Sequence, residues 1–103
     1  MKKYLDDLEA TIKDRKNKDP QESYVASLFK EKEKIISKIK EESEELAEAF
    51  LENDPRSIKH ESADLLFHLM VLLSEKNISF DEVLLELKKR EGVSGHEEKK
   101  SRK

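Results

Sequence analysis

From Ile35 to Phe50 the apolar residues Ile35, Ile39, Leu46, Ala49 and Phe50 recur at helical spacing. At about 100° per residue they form one stripe. Glu42 falls in the middle of that stripe, between Ile39 and Leu46, and Glu45 sits one turn further along on its flank. A second segment repeats the arrangement. Ile58, Leu65, Leu69 and Leu72 form a stripe, with Glu61, Asp64 and His68 lined up beside it. The chain must therefore fold so that two helices each direct carboxylates toward a buried face.

Burying unpaired carboxylates is costly, and a carboxyl in that position ordinarily finds a partner or takes up a proton. Two like charges about 4 Å apart repel by roughly 4 kcal/mol at an effective dielectric near 20. A divalent cation removes both penalties. Carboxylate oxygens without a thiolate suit a hard cation, Mg²⁺ or Mn²⁺, better than zinc. The expected metal ligands are Glu42, Glu45, Glu61 and Asp64. Glu44 lies away from the stripe, whereas Glu41 is near enough to the cluster to reach a second ion or a water.

The 103-residue length fits one domain with a modest core. Charged residues make up 44% of the chain, with only 2 Gly and 2 Pro, a balance that favours long helices over a sheet. The expected fold is all-α, a bundle of about four to five helices over residues 1–92, followed by a polar tail at 93–103. Pairing of subunits in a homodimer or higher homo-oligomer would complete so thin a core. A formal charge of −3 gives no general attraction to polymeric nucleic acid. The absence of cysteine excludes disulfides, thiol catalysis and Cys-type zinc sites. No apolar run resembles a signal peptide or a membrane span, so the expectation is a cytoplasmic protein without a membrane partner.

In chain order, Leu5, Leu8 and Ile12 predict a helix from Tyr4 to about Arg15, broken by Asn17 to Pro20. The segment from Ser23 to Phe29 is read as a short helix. Lys30-Glu31-Lys32-Glu33-Lys34 is read as a basic connection leading into the first long helix, which ends near Glu52-Asn53. Asp54-Pro55 is a helix start, with Asp54 as N-cap. The helix from Pro55 to about Lys76 is apolar nearly all round and is expected to be the central one, closed by Asn77-Ile78. Ser79-Phe80-Asp81-Glu82 is a capping box opening a last helix that fades at Arg90-Glu91-Gly92.

An acidic pair at i, i+3 is ordinary on one helix, and only the matching pair on a neighbouring apolar helix makes it a site. A short connection between those helices favours antiparallel packing, which brings the two sets together. His68 is read as a core histidine hydrogen-bonded to a neighbouring helix, with ligand, partner of a ligand or proton shuttle as alternatives. Neither acidic cluster has the Glu-x-x-His of di-iron bundles, and there is no Ser/His/Asp arrangement or Walker motif. A hard metal with basic residues nearby suits attack by activated water on a phosphoanhydride. From another class, the alternative is a non-catalytic helical dimerisation module.

The pattern Glu41-Glu42-x-x-Glu45 followed by Glu61-x-x-Asp64 resembles the metal motif of the all-α nucleotide pyrophosphohydrolases, which include MazG-type enzymes and dimeric dUTPases. Further segments narrow the resemblance to the phosphoribosyl-ATP pyrophosphohydrolase family. These are Leu8-Glu9-x-x-Ile12 with Arg15, Ser23-Tyr24 with Leu28-Phe29, Glu61 to Leu69, and Ser94-Gly95-x-Glu97-Glu98-Lys99. Glu31 and Lys40 stand where that family often has glycine, and Phe67 where tyrosine is common. The resemblance implies Mg²⁺-dependent cleavage of phosphoribosyl-ATP to phosphoribosyl-AMP and pyrophosphate, the second step of histidine biosynthesis, by a dimer. It implies that Glu41 holds or orients the attacking water, and that Arg15, Lys34 and Lys38 contact phosphate. It further implies that Ser94, Gly95, Lys99 and Arg102 close over the substrate. A house-cleaning nucleoside triphosphate pyrophosphohydrolase would share the metal residues and differ in its base pocket.

Overall fold

The computed structural model describes residues 1–92. The tail residues Ser94, Gly95, Lys99 and Arg102 lie outside the described residues. Among the described residues there are five helices and no strand, as the composition predicts: α1 (Lys2–Arg15), α2 (Tyr24–Lys30), α3 (Lys32–Leu51), α4 (Pro55–Glu75) and α5 (Phe80–Lys89). No helix among them is long and apolar enough to cross a membrane.

Local chemistry sets the boundaries. The Ser23 hydroxyl accepts the Ala26 N–H at 3.2 Å and opens α2. The Asp54 carboxylate accepts the Arg56 and Ser57 N–H groups ahead of Pro55, opening α4. Ser79 and Glu82 form a reciprocal capping box at α5. Both long helices stop the same way. Asn53 and Asn77 take left-handed φ values of 56° and 57°. Beyond them, Asp54 N–H returns to the Ala49 carbonyl and Ile78 N–H to the Leu73 carbonyl. Each is a Schellman closure with asparagine at the left-handed position, where the usual residue is glycine.

α3 and α4 make the most extensive pairing in the fold. Only residues 52–54 join them, so they run antiparallel. α1 and α2 cover one side of this pair. The core is built from Ile12, Val25, Leu28, Phe29, Ile35, Met70 and Val71, with Leu5, Leu8, Ile39, Leu66, Phe67, Leu72 and Phe80 packed around it. Ile12, Leu28 and Val71 are fully enclosed, each contributing roughly 1.5–3 kcal/mol by burial.

The fold differs from the sequence expectations in three places. The charged run at 30–34 is not a separate connection: Lys30 ends α2, Glu31 alone intervenes, and α3 begins at Lys32. The Ser27 carbonyl accepts the Glu31 N–H, and the Glu31 carbonyl accepts the Lys34 N–H, so one residue turns the chain. Phe50, assigned to the buried stripe of α3, is 69% exposed at the end of the helix. On α4 the most buried residues are His68, Met70, Val71, Leu73 and Ser74, while Leu65, Leu69 and Leu72 are half-buried. A helix apolar nearly all round carries no periodic signal to say which side α1 and α2 will cover.

α5 hangs from the rest by its N-terminus. The Glu9 carboxylate accepts the Phe80 N–H at 2.7 Å, and Lys2 pairs with Asp81 at 2.7 Å. No residue of α5 is fully buried, and Leu84, Leu85 and Leu87 face outward.

Candidate active site

The antiparallel α3–α4 pair brings the acidic residues of both helices together. Glu42, on the α3 face packed against α4, is only 7% exposed. Its Oε1 lies 2.7 Å from Nδ1 of His68. The His68 N–H is directed elsewhere, to the Asp64 main-chain carbonyl at 2.9 Å, and Glu42 Oε1 receives no hydrogen bond among the described residues. The proximity is thus a close approach of carboxylate to imidazole rather than a satisfied pair. On the far side of the ring, Nε2 lies 2.7 Å from the Tyr24 hydroxyl of α2. His68 is a buried histidine tied to a neighbouring helix, as the sequence reading has it, and it also touches the acidic cluster.

Glu45 and Glu61 face each other across the helix pair. The Glu45 carboxyl is held above the usual carboxylate range, first by its hydrogen bond with the Glu61 carboxyl, then by burial, with Glu41 adding to the effect. Glu61 Oε2 is itself buried without a partner. Leaving a buried acceptor unsatisfied costs about 1–3 kcal/mol, and more for a charged group. Glu42 Oε1 and Glu61 Oε2 are such oxygens on two adjoining helices, and a bound divalent cation would relieve the cost of either. The donor set contains no sulfur, and the residues present fit such an ion.

Around this cluster stand basic and aromatic side chains. Lys38 is half-buried and lies 3.7 Å from the rim carboxylate Glu41. Lys34 lies over the Tyr24 ring, 5.7 Å from its centroid. Phe67 stacks on Tyr24 with the ring centroids 6.4 Å apart. The Tyr24 phenol is pushed upward by burial, which outweighs the lowering effect of Lys38; Glu42, Asp64 and Glu41 add to the rise. Arg15 is exposed and lines a shallow depression with Lys18, Glu22 and Ser23, next to the residue that opens α2.

The sequence reading left two residues out of the site. Tyr24 was recognised only as part of a motif, and its contact with His68 spans 44 positions, beyond any local pattern. His60 is the second. Its Nε2 lies 3.3 Å from Asp64 Oδ2 and 4.0 Å from Glu61 Oε1. Among the described residues, His60, Glu61 and Asp64 form the one group of metal-ligating side chains whose donor atoms all lie within 4.8 Å of one another, and the expected ligands Glu42 and Glu45 stand outside it. The i, i+4 spacing of His60 and Asp64 was the available signal.

Fold and site define a class: a small all-α protein whose two longest helices present carboxylates to each other beside a basic and aromatic rim. The comparisons place it within that class. Residues 5–91 match the family model described as phosphoribosyl-ATP pyrophosphohydrolase. Curated relatives named phosphoribosyl-ATP pyrophosphatase are similar over nearly the whole chain. That of Rhizorhabdus wittichii is 52% identical over 95% of this chain and 93% of the relative. That of Novosphingobium aromaticivorans is 53% identical over 92% and 90%, and that of Zymomonas mobilis 46% over the same shares. The chain belongs to the phosphoribosyl-ATP pyrophosphohydrolase family.

Proposed function

We propose that this protein hydrolyses phosphoribosyl-ATP between its α and β phosphates, giving phosphoribosyl-AMP and pyrophosphate, the second step of histidine biosynthesis in the cytoplasm. The observation that carries the reading is the pair of buried carboxylate oxygens that receive no hydrogen bond, Glu61 Oε2 and Glu42 Oε1, the latter approached only by the His68 imidazole, in a chain matched to this family from residue 5 to 91.

Glu42, Glu45, Glu61 and Asp64 hold a divalent cation, Mg²⁺ with Mn²⁺ as substitute. The ion, when bound, withdraws charge from the phosphoanhydride and acidifies water. The chain's own residues do the remainder. Lys34 and Lys38 stand on successive turns of α3, where they draw in and orient the polyphosphate. Arg15 adds positive charge from the end of α1. Glu41, exposed at the rim and 3.7 Å from Lys38, orients the attacking water and takes its proton, while the anhydride oxygen leaves with pyrophosphate. Ser94, Gly95, Lys99 and Arg102, outside the described residues, are assigned to substrate binding by the family resemblance. A homodimer covers the apolar side chains left outside the core, Phe50 and Leu51 on α3 and Leu84, Leu85 and Leu87 on α5.

Pyrophosphate release from phosphoribosyl-ATP, with and without Mg²⁺, tests the assignment in the wild type and in Glu45→Ala. Release that needs the metal and collapses in the variant supports both substrate and site. Turnover of dUTP, dCTP or ATP with none of phosphoribosyl-ATP would move the protein to the house-cleaning nucleotide hydrolases.

A further inference from the structure

We propose that His60 supplies a nitrogen ligand to the cation held between α3 and α4, and that this imidazole biases the site toward Mn²⁺ over Mg²⁺. The inference rests on the metal-site reading above and adds to it a residue outside the four carboxylates.

The geometry comes from one turn of α4. His60, Glu61 and Asp64 stand at i, i+1 and i+4, so Asp64 lies one turn beyond His60 with Glu61 beside both. Nε2 of His60 is 3.3 Å from Asp64 Oδ2 and 4.0 Å from Glu61 Oε1. In an octahedral site with metal–donor distances near 2.1 Å, neighbouring donors are about 3 Å apart and opposite donors about 4.2 Å. The two His60 separations are close to these spacings. A second observation points to the same place: Glu61 Oε2, part of this triplet, is buried without a hydrogen-bond partner among the described residues.

The His60 side chain is 68% exposed. As an ordinary surface pair with Asp64 it would contribute little to stability. Its position at the rim of an acidic cluster, with a nitrogen toward two carboxylates, gives it a different use. Mg²⁺ holds to oxygen donors and retains water, whereas transition ions accept imidazole readily. Three or four carboxylates alone leave Mg²⁺ and Mn²⁺ to compete by availability. One imidazole added to them favours Mn²⁺.

The test uses the full chain loaded with Mn²⁺ alone. Electron spin-echo envelope modulation reads nitrogen bound to the ion, and the free Mn²⁺ resonance gives its affinity, with Mg²⁺ affinity taken from competition. The wild type is expected to show imidazole ¹⁴N modulation that disappears in His60→Asn. The Mn²⁺ dissociation constant should rise about 10-fold in that variant, and the Mg²⁺ constant by less than about 2-fold. Modulation absent from the Mn²⁺-loaded wild type would overturn the proposal. So would modulation that survives in His60→Asn, since the nitrogen would then belong to His68. An equal loss of both metals would overturn it too, reducing His60 to a neighbour that orients Asp64. Glu61→Ala keeps the two readings apart: Mn²⁺ binding unaffected by that change removes the carboxylate site itself, whereas binding that depends on Glu61 but shows no ¹⁴N signal removes only His60.

Discussion

The Tyr24 hydroxyl lies 2.7 Å from Nε2 of His68, and the opposite ring nitrogen lies 2.9 Å from the Asp64 carbonyl oxygen. A carbonyl only accepts, so Nδ1 carries a proton, and the Tyr24 hydroxyl is the hydrogen-bond partner of Nε2. The phenol on α2 therefore fixes the ring that stands against Glu42 on α3 and the backbone of Asp64 on α4. One hydroxyl links three helices at the acidic cluster.

Tyr24→Phe removes that hydroxyl and leaves a buried ring nitrogen without its partner. The expected loss of stability is about 1–3 kcal/mol, or a fall in Tm of roughly 4–8 °C for each kcal/mol in a domain near this size. Urea denaturation of the two proteins side by side reads the difference. Identical midpoints would mean that water replaces the hydroxyl at no cost.

At Glu45 the expected effect has the opposite sign. Its carboxyl is held up by the Glu61 carboxyl beside it, so the ion-free fold is strained by like groups at neutral pH. Glu45→Gln keeps the shape and removes one charge, so the ion-free variant should melt at a higher temperature than the wild type. Added Mg²⁺ should raise the Tm of the wild type and leave the variant nearly unchanged. Thermal scans with EDTA and with Mg²⁺ give all four values. A variant less stable without metal would mean that the carboxylate repulsion is already relieved in the ion-free protein.

The acid limb of stability involves a different pair. Lys32 at the start of α3 lies 2.8 Å from Glu75 at the end of α4. That hydrogen bond holds the Glu75 carboxyl below its ordinary 4.5, against the opposing effect of burial. A carboxyl depressed in the folded state contributes stability that is present above 4.5 and is lost as pH falls through the folded value. Glu75→Gln should therefore cost up to about 1 kcal/mol at pH 7, since Lys32 is largely exposed, and nothing at the acid end. Urea midpoints compared at neutral and strongly acid pH check it: a gap of the same size at both would remove this ion pair from the acid response.

These three sites differ in how far the sequence revealed them. Most helix bounds were legible from local signals: apolar stripes on α1 and α3, Asp54 and Ser79 as caps, and Asn53 and Asn77 as stops, whereas the one-residue break at Glu31 between α2 and α3 carries none. Glu42 stood out because an acid interrupts an apolar stripe on its own helix. The buried face of α4 did not, because residues 65–73 are apolar in nearly every direction and only the positions of α1 and α2 select Met70 and Val71. Tyr24 with His68 was illegible for a related reason, since contacts across 44 positions depend on how helices cross. His60 is legible in the sequence, one residue before Glu61 and one helical turn before Asp64.

The proposed dimer makes a prediction at the surface. Phe50 and Leu85 are 69% and 59% exposed in the single chain, and α5 is held mainly by its first turn. Sedimentation of the wild type should give twice the 12.1 kDa chain mass. Leu85→Glu should shift the population toward the single chain while helix content is retained, because burying a new charge in an interface costs several kcal/mol. A wild type that sediments at the single-chain mass would remove the dimer from the proposal.

The stop of α3 offers the sharpest test of local chemistry against packing. Asn53 sits at φ 56° between the two site helices, and its N–H and that of Asp54 close the helix onto the Phe50 and Ala49 carbonyls. An L-residue with a Cβ is disfavoured there by roughly 1–2 kcal/mol, a penalty that asparagine partly escapes and glycine avoids. Asn53→Ala should lower stability by about 1 kcal/mol, while Asn53→Gly should match or slightly exceed the wild type. The same closure sets the angle at which Asp54 caps α4, so the alanine variant should also loosen the alignment of Glu61 with Glu45 and weaken Mg²⁺ binding. Urea denaturation of both variants, followed by Mg²⁺ titration, separates the two effects. Equal loss in the alanine and glycine variants would show that the asparagine side chain, rather than its backbone angle, holds the turn.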